Sequence, residues 1–123
     1  MSTEATPAEF GGNLGMFMGS EHFYRYPFNS NFVYTEGVQY FLLHCGDGAH
    51  WFLDIVGTEL ADLQEQEEFM VVQMDVADGQ AKLTAEDGNG RLLWERDIDY
   101  TDAFDGQWKF YLINGVFLLP SEY

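Results

Sequence analysis

An α+β domain, with N-terminal helices packed on an antiparallel meander sheet of about four to five strands, is what this sequence predicts. Three observations lead there. Apolar residues recur at helical spacing between Thr35 and Val56, and the period changes to two from Glu68 onward. No long helical stretch follows that would carry a crossover between parallel strands.

The chain has 123 residues, within the range of one domain. Residues 1–18 hold Pro7, Gly11, Gly12 and Gly15 with little periodicity. They predict a flexible N-terminal arm that orders only if Phe10, Leu14, Met16 or Phe17 find a groove. The single α+β domain then spans 19–123. Ser20 can cap a short helix, and Pro27 limits its length. Thr35 is a good N-cap for a clearer helix, with Glu36 at the positive helix end and Val38, Phe41, Leu42 and Cys45 on one apolar stripe. Gly46 and Gly48 end it. A second helical segment over about 49–56 carries Trp51, Phe52, Ile55 and Val56. Gly57 interrupts it, and 59–66 continue as a polar helical turn.

From Glu68, Met70, Val72, Met74 and Val76 alternate with Val71, Gln73 and Asp75, giving a strand with one strongly apolar face. Asp78-Gly79 signals a tight turn, and Ala81, Leu83 and Ala85 complete a hairpin beyond it. After the Asp87-Gly88-Asn89-Gly90 turn, Leu92, Trp94 and Ile98 share one face of a third strand, opposite Leu93, Glu95, Asp97 and Asp99. A last hairpin runs from Trp108 through Asn114-Gly115 to Leu119. It would leave 116–119 at a sheet edge, where unpaired backbone invites dimerisation, so monomer and dimer are both open.

Hydrophobic residues make up 46% of the chain and aromatic residues 17%, enough apolar surface to offset the entropy of ordering and exclude a disordered chain. Cys45 is the one cysteine, so no intrachain disulfide forms, which suits a reducing compartment. The first residues lack the basic start and apolar run of a signal peptide. The longest apolar runs, at 40–43 and 116–120, are far shorter than the roughly 20 residues needed to span a bilayer. A cytoplasmic protein is expected. With 21 acidic and 5 basic residues the formal charge is -16, which disfavours direct binding to nucleic acid or to an anionic membrane.

Several landmarks occur in order: Gly19-Ser20-Glu21-His22-Phe23-Tyr24, Tyr34-Thr35-Glu36-Gly37-Val38 and Trp51-Phe52-Leu53-Asp54-Ile55-Val56. Asp99-Tyr100-Thr101-Asp102 and the C-terminal Trp108-Lys109-Phe110-Tyr111 through Leu118-Leu119-Pro120-Ser121-Glu122-Tyr123 follow. Over about 19–123 this set resembles a bacterial family of unknown function numbered 6876, often met in genomes carrying phages and mobile elements. The resemblance implies no activity, cofactor or catalytic residues. It implies that the Thr35-Glu36-Gly37 helix start and the segment from Trp51 to Asp54 are family features. An aromatic usually precedes the tryptophan in that family, and His50 stands there in this chain, which argues against His50 as a shared catalytic group.

The residues offer little chemistry. His44 and Cys45 are adjacent on a helix and point about 100° apart, so they do not form a nucleophile–base pair. Cys45 also lies on the apolar stripe, as a small buried hydrophobe would. His50 and Asp54, four apart on a helix, could reach one metal ion, but two ligands are too few without His22 or His44. These residues define the alternative of a small metal-dependent enzyme. Asp97, Asp99, Asp102 and Asp105 before Gly106 fail the spacing of a calcium loop. No cofactor is implied. A further alternative is an aromatic-rich protein-binding module built on Phe23, Tyr24, Tyr26, Phe28, Phe32 and Tyr34. Completing a small core is the plainer use of those rings.

Charge is the signal that remains. Fifteen of the 21 acidic residues lie between Asp54 and Asp105, with Lys82, Arg91 and Arg96 among them. Glu95, Asp97 and Asp99 would form a row of carboxylates about 6.6 to 7 Å apart on one strand face, extended by Asp102 and Asp105. Glu59, Asp62, Glu65, Glu67 and Glu68 form a second cluster. A solvated face that keeps the protein soluble is the plain reading. The sharper expectation is a small non-enzymatic accessory protein whose acidic face binds a basic protein, such as a nucleic-acid-binding or defence protein, in its concrete form as a nucleic-acid mimic.

Overall fold

A single sheet of seven strands, lined on one face by helices, forms the body of the protein in a computed structural model that describes residues 7–16, 23–27, 32–46 and 49–123. The elements run α1 (Pro7–Leu14), β1 (Phe23–Arg25), β2 (Val33–Thr35), α2 (Glu36–His44) and α3 (His50–Ile55). A wide π-helical turn (Val56–Leu60) leads into α4 (Ala61–Leu63). Then come β3 (Phe69–Ala77), β4 (Gln80–Asp87), β5 (Leu92–Ile98), β6 (Gly106–Ile113), β7 (Val116–Leu118) and a closing 3-10 turn (Pro120–Glu122). The strand order is β1-β2-β7-β6-β3-β4-β5.

The mixed α+β class is as expected, but the sheet has seven strands rather than four to five and the helices are not all N-terminal to it. The five later strands are the ones the sequence pattern marked, with the cleanest period of two in β3 and β4. The two extra strands come from the aromatic and β-branched segment up to Thr35, and β1 lies where a short helix capped by Ser20 and limited by Pro27 was expected. Ser20 lies outside the described residues, and 23–25 is strand. Nor is the sheet a pure antiparallel meander. β2 pairs parallel with β7, Val33 opposite Val116, so β7 is flanked on both sides and is not an edge. Within the stretch expected to be an arm, Pro7–Leu14 is helical, and Phe10 is fully buried among Tyr40, Phe41, Phe104 and Trp108.

Local chemistry accounts for the elements. Thr35 caps α2 by accepting from the Val38 N–H. Asp78-Gly79 and Asn114-Gly115 have positive φ at both positions, the geometry whose twist suits two-residue hairpins. At Gly57, where an interruption was expected, the regular helix widens into the π-helical turn before α4 resumes it. Glycine suits this position because Tyr26 and Phe32 press so close that a Cβ would sit 2.7 Å from the Tyr26 ring.

One sheet face is the core. Met70, Val72, Met74, Leu83, Phe110 and Leu112 point into it and meet Phe41, Leu42, Phe52 and Val56 from the helices. Phe41 stands edge-on to Phe110 at 4.8 Å and Phe52 lies 5.2 Å from the same ring. Burying each such side chain stabilises the fold by about 1.5–3 kcal/mol. The chain end is tied in by Glu122, whose buried carboxylate accepts from the Thr35 hydroxyl at 2.6 Å and from the Gly37 and Leu119 N–H groups.

The opposite face is open, and its register places unlike side chains at its two ends. Ile113, Phe69, Tyr111 and Val71 lie together at one end, where Tyr123 packs on Tyr111 and Phe69. At the other end Gln107, Asp75, Lys82 and Asp97 form one cross-strand row, and Lys109, Gln73, Thr84 and Glu95 form the next.

Candidate binding face

The acidic end of the open face is built by register. The two-residue turn after β3 fixes Asp75 opposite Lys82, and the β4–β5 pairing then sets Asp97 opposite Lys82 and Glu95 opposite Thr84. Asp75, Asp97 and Asp99 line a groove of about 630 Å³, together with Lys82, Gln80 and Gln107. Glu95 and Asp97 are exposed on the open face as expected. Asp99, Asp102 and Asp105 are exposed in the segment between β5 and β6.

That segment is held in place by its other residues. Thr101 and Ala103 are buried, the Thr101 N–H donates to the Gly79 carbonyl at 2.8 Å, and Trp108 Nε1 donates to the Phe104 carbonyl at 2.9 Å. Gly46, at φ 67°, lets the end of α2 come so close that a Cβ there would lie 2.1 Å from the Asp102 carbonyl oxygen. The alternation of buried and exposed residues turns the aspartates outward. It also leaves Tyr100 81% exposed beside them.

The carboxylates differ in their counter-ions. Lys82 Nζ lies 3.4 Å from Glu95, so the expected row loses its first free member. Among the described residues no ion pair reaches Asp97, Asp99, Asp102 or Asp105. The second acidic cluster is met by arginines: Arg96, on the helix-covered face of β5, pairs with Glu59, and Arg91 pairs with Glu67 and also with Asp87 outside the cluster. A bulge at Ala85/Glu86 sets this end of β5. It pairs Leu92 with Glu86 and leaves Leu92 half exposed, while Leu93 packs on the core, opposite to the alternation expected for these two leucines.

The remaining candidates do not converge. Cys45 is fully buried, and burial pushes its thiol up to about 11, partly offset by the Phe104 backbone N–H and reinforced by the Asp102 charge. His44 is exposed and packs on Tyr40. His50 and Asp54 both lie exposed on α3, where Asp54 Oδ1 accepts from the Tyr26 hydroxyl at 3.0 Å. Burial raises the Tyr26 pKa, and that carboxylate raises it further. Among the described residues no group of three His, Cys, Asp or Glu side chains could hold a metal ion. His22 and Phe28 lie outside the described residues. Of the aromatic segment, Tyr26 and Phe32 belong to the core, while Tyr24 stacks on Tyr34 at the β1 edge beside the exposed Phe23. Among the described residues no helix is long and apolar enough to cross a membrane.

Asp75, Lys82 and Tyr100 were not anticipated as parts of this face. The Asp78-Gly79 turn carried the signal for the first two, since a two-residue hairpin loop sets the partner of every residue on both strands. For Tyr100 the only sign was a large ring among aspartates.

A family model described as a family of unknown function, DUF6876, matches residues 9–123. No curated protein and no solved structure matches the chain.

Proposed function

We propose that this chain, which belongs to the family of unknown function DUF6876, is a small non-enzymatic accessory protein that binds a basic protein partner through the acidic end of its open sheet face. The observation that carries the reading is the groove bordered by Asp75, Asp97 and Asp99, with Lys82 the one basic residue lining it among the described residues and already drawn toward Glu95, while Asp102 and Asp105 are exposed in the segment that follows β5. Like charges held together on a folded surface repel one another, and a lysine- or arginine-rich surface relieves that cost on docking. The exposed Tyr100 ring adds a face on which a guanidinium or ammonium can rest. The cytoplasmic setting expected from the sequence and the mobile-element setting that the family resemblance implies belong to the same reading. A nucleic-acid mimic is the concrete form of this reading, with Asp97, Asp99, Asp102 and Asp105 as its exposed carboxylates and Glu95 shared with Lys82.

The test compares partners co-purified from a bacterial host by the unaltered chain and by a variant carrying Asp97→Asn, Asp99→Asn, Asp102→Asn and Asp105→Asn. The expected outcome is a basic protein retained at low salt, released as ionic strength rises, and bound at least about tenfold more weakly by the variant. A partner held equally by both chains, at any salt, would sink the reading.

A further inference from the structure

We infer that β5 is a docking edge, and that the basic partner joins the sheet there as an additional strand. The inference rests on the reading of a basic partner and specifies how it binds. β5 is the last strand of the sheet, and among the described residues only β4 hydrogen-bonds to it, so its outer backbone donors and acceptors face outward. Its seven residues offer an edge about 23 Å long, enough to seat a short extended peptide. The opposite edge, β1, has three residues and offers far less.

The side chains of β5 select the occupant. Glu95 and Asp97 project on the open face, while Trp94, Arg96 and Ile98 share the face of Ala85, Leu83 and Ala81. Were a second copy to pair antiparallel about Arg96, Arg96 would oppose Arg96 and each Glu95 would oppose an Asp97. Like charges directly opposite destabilise a strand pair, so the edge resists its own copy. The same pattern admits a strand with basic residues opposite Glu95 and Asp97, an uncharged polar residue opposite Arg96, and apolar residues opposite the half-buried Trp94 and Ile98. In order this reads apolar, basic, polar, basic, apolar. Arg96 is held by Glu59, which turns it away from such a strand. Asp99, one residue beyond β5, extends the acidic side toward the groove. Backbone pairing supplies affinity and the alternate charges supply specificity, as in other cases of strand addition.

The experiment titrates the intact chain with synthetic peptides centred on Val-Lys-Thr-Lys-Val, by calorimetry and by amide hydrogen exchange. Expected are salt-sensitive binding and slowed exchange of β5 amides. An otherwise identical peptide, N-methylated at alternate residues on its pairing side, should bind at least about tenfold more weakly. A chain carrying Glu95→Lys and Asp97→Lys should exchange its preference for a peptide with Val-Glu-Thr-Glu-Val at its centre. Equal binding of the methylated and unmethylated peptides would overturn strand addition while leaving charge-driven docking intact. If no peptide binds, or β5 exchange is unchanged on binding, the docking edge is likewise overturned, and the co-purification comparison judges the acidic-face reading separately.

Discussion

The acidic stretch at 59–68 and the one at 95–105 carry five carboxylates each, yet only the first is crossed by arginines. In the first, Arg96 reaches Glu59 from the helix-covered face of β5 and Arg91, just before β5, reaches Glu67, so charge on the helical side is partly balanced there. In the second, Lys82 takes up Glu95, Asp97 and Asp99 line a groove, and Asp102 and Asp105 are exposed in the segment after β5. The backbone differs as well. The helical stretch rests on the wide turn and α4, whereas the sheet-end loop is clamped against α2 through Gly46 and against β6 through Trp108. Charge counting treats these regions as equals. The supply of counter-ions, set by strand register, separates them.

The clamp is the place to break the difference. Gly46→Ala should cost about 3 kcal/mol, because it combines an unfavourable positive φ with a Cβ pressed on the Asp102 carbonyl. Denaturant titration measures the loss. Hydrogen exchange should rise across 99–105 and stay unchanged across 59–68. A uniform rise would mean the loop is not seated through α2. Cys45 reports on the same contact with a somewhat smaller effect. Its folded pKa is raised from 9.0 to about 11, so its contribution is fully present below the unfolded value and is lost as pH climbs from about 9 to about 11. That stretch of pH should cost up to about 2–3 kcal/mol, at 1.36 kcal/mol per unit. Cys45→Ala should flatten that alkaline limb, and an unchanged slope would place its origin elsewhere.

Much of this arrangement was legible in the sequence, for reasons the two stretches make plain. Helix α2 and its Thr35 cap, the β3–β4 hairpin, and the open-face placement of Glu95 and Asp97 all follow from short-range chemistry, where period and turn type decide the outcome. The parallel pairing of β2 with β7 was not legible, because it joins segments about 80 residues apart and depends on what the intervening chain leaves uncovered. The Glu122 carboxylate at the start of α2 is long-range in the same way. The bulge that exchanged the settings of Leu92 and Leu93 inserts one residue, which no alternation pattern anticipates. Which acidic cluster would be neutralised lay in the reach of Arg91 and Arg96, and that needed the register of β5 against its neighbours.

The smallest effects test whether the balanced side is balanced by exposed groups alone. Arg91→Ala, which removes the pairs with Glu67 and Asp87, should lower stability by less than about 1 kcal/mol, since exposed ion pairs contribute little. A larger loss in thermal unfolding would show the pairs acting as a network. Asp87 gives the finer measurement. The Arg91 and Asn89 backbone N–H groups hold its carboxyl below the usual carboxylate value, with the Arg91 charge helping. The stabilisation is therefore present above the unfolded value of about 3.9 and is lost as pH falls through the lower folded value. Asp87→Asn keeps an acceptor oxygen in the turn but removes the titration. Its urea midpoint should fall less steeply on acidification than that of the unaltered chain. If the variant follows the same curve as the unaltered chain, the turn at 87–91 does not set the acid limb, and the local hydrogen bonds to Asp87 add nothing that water does not.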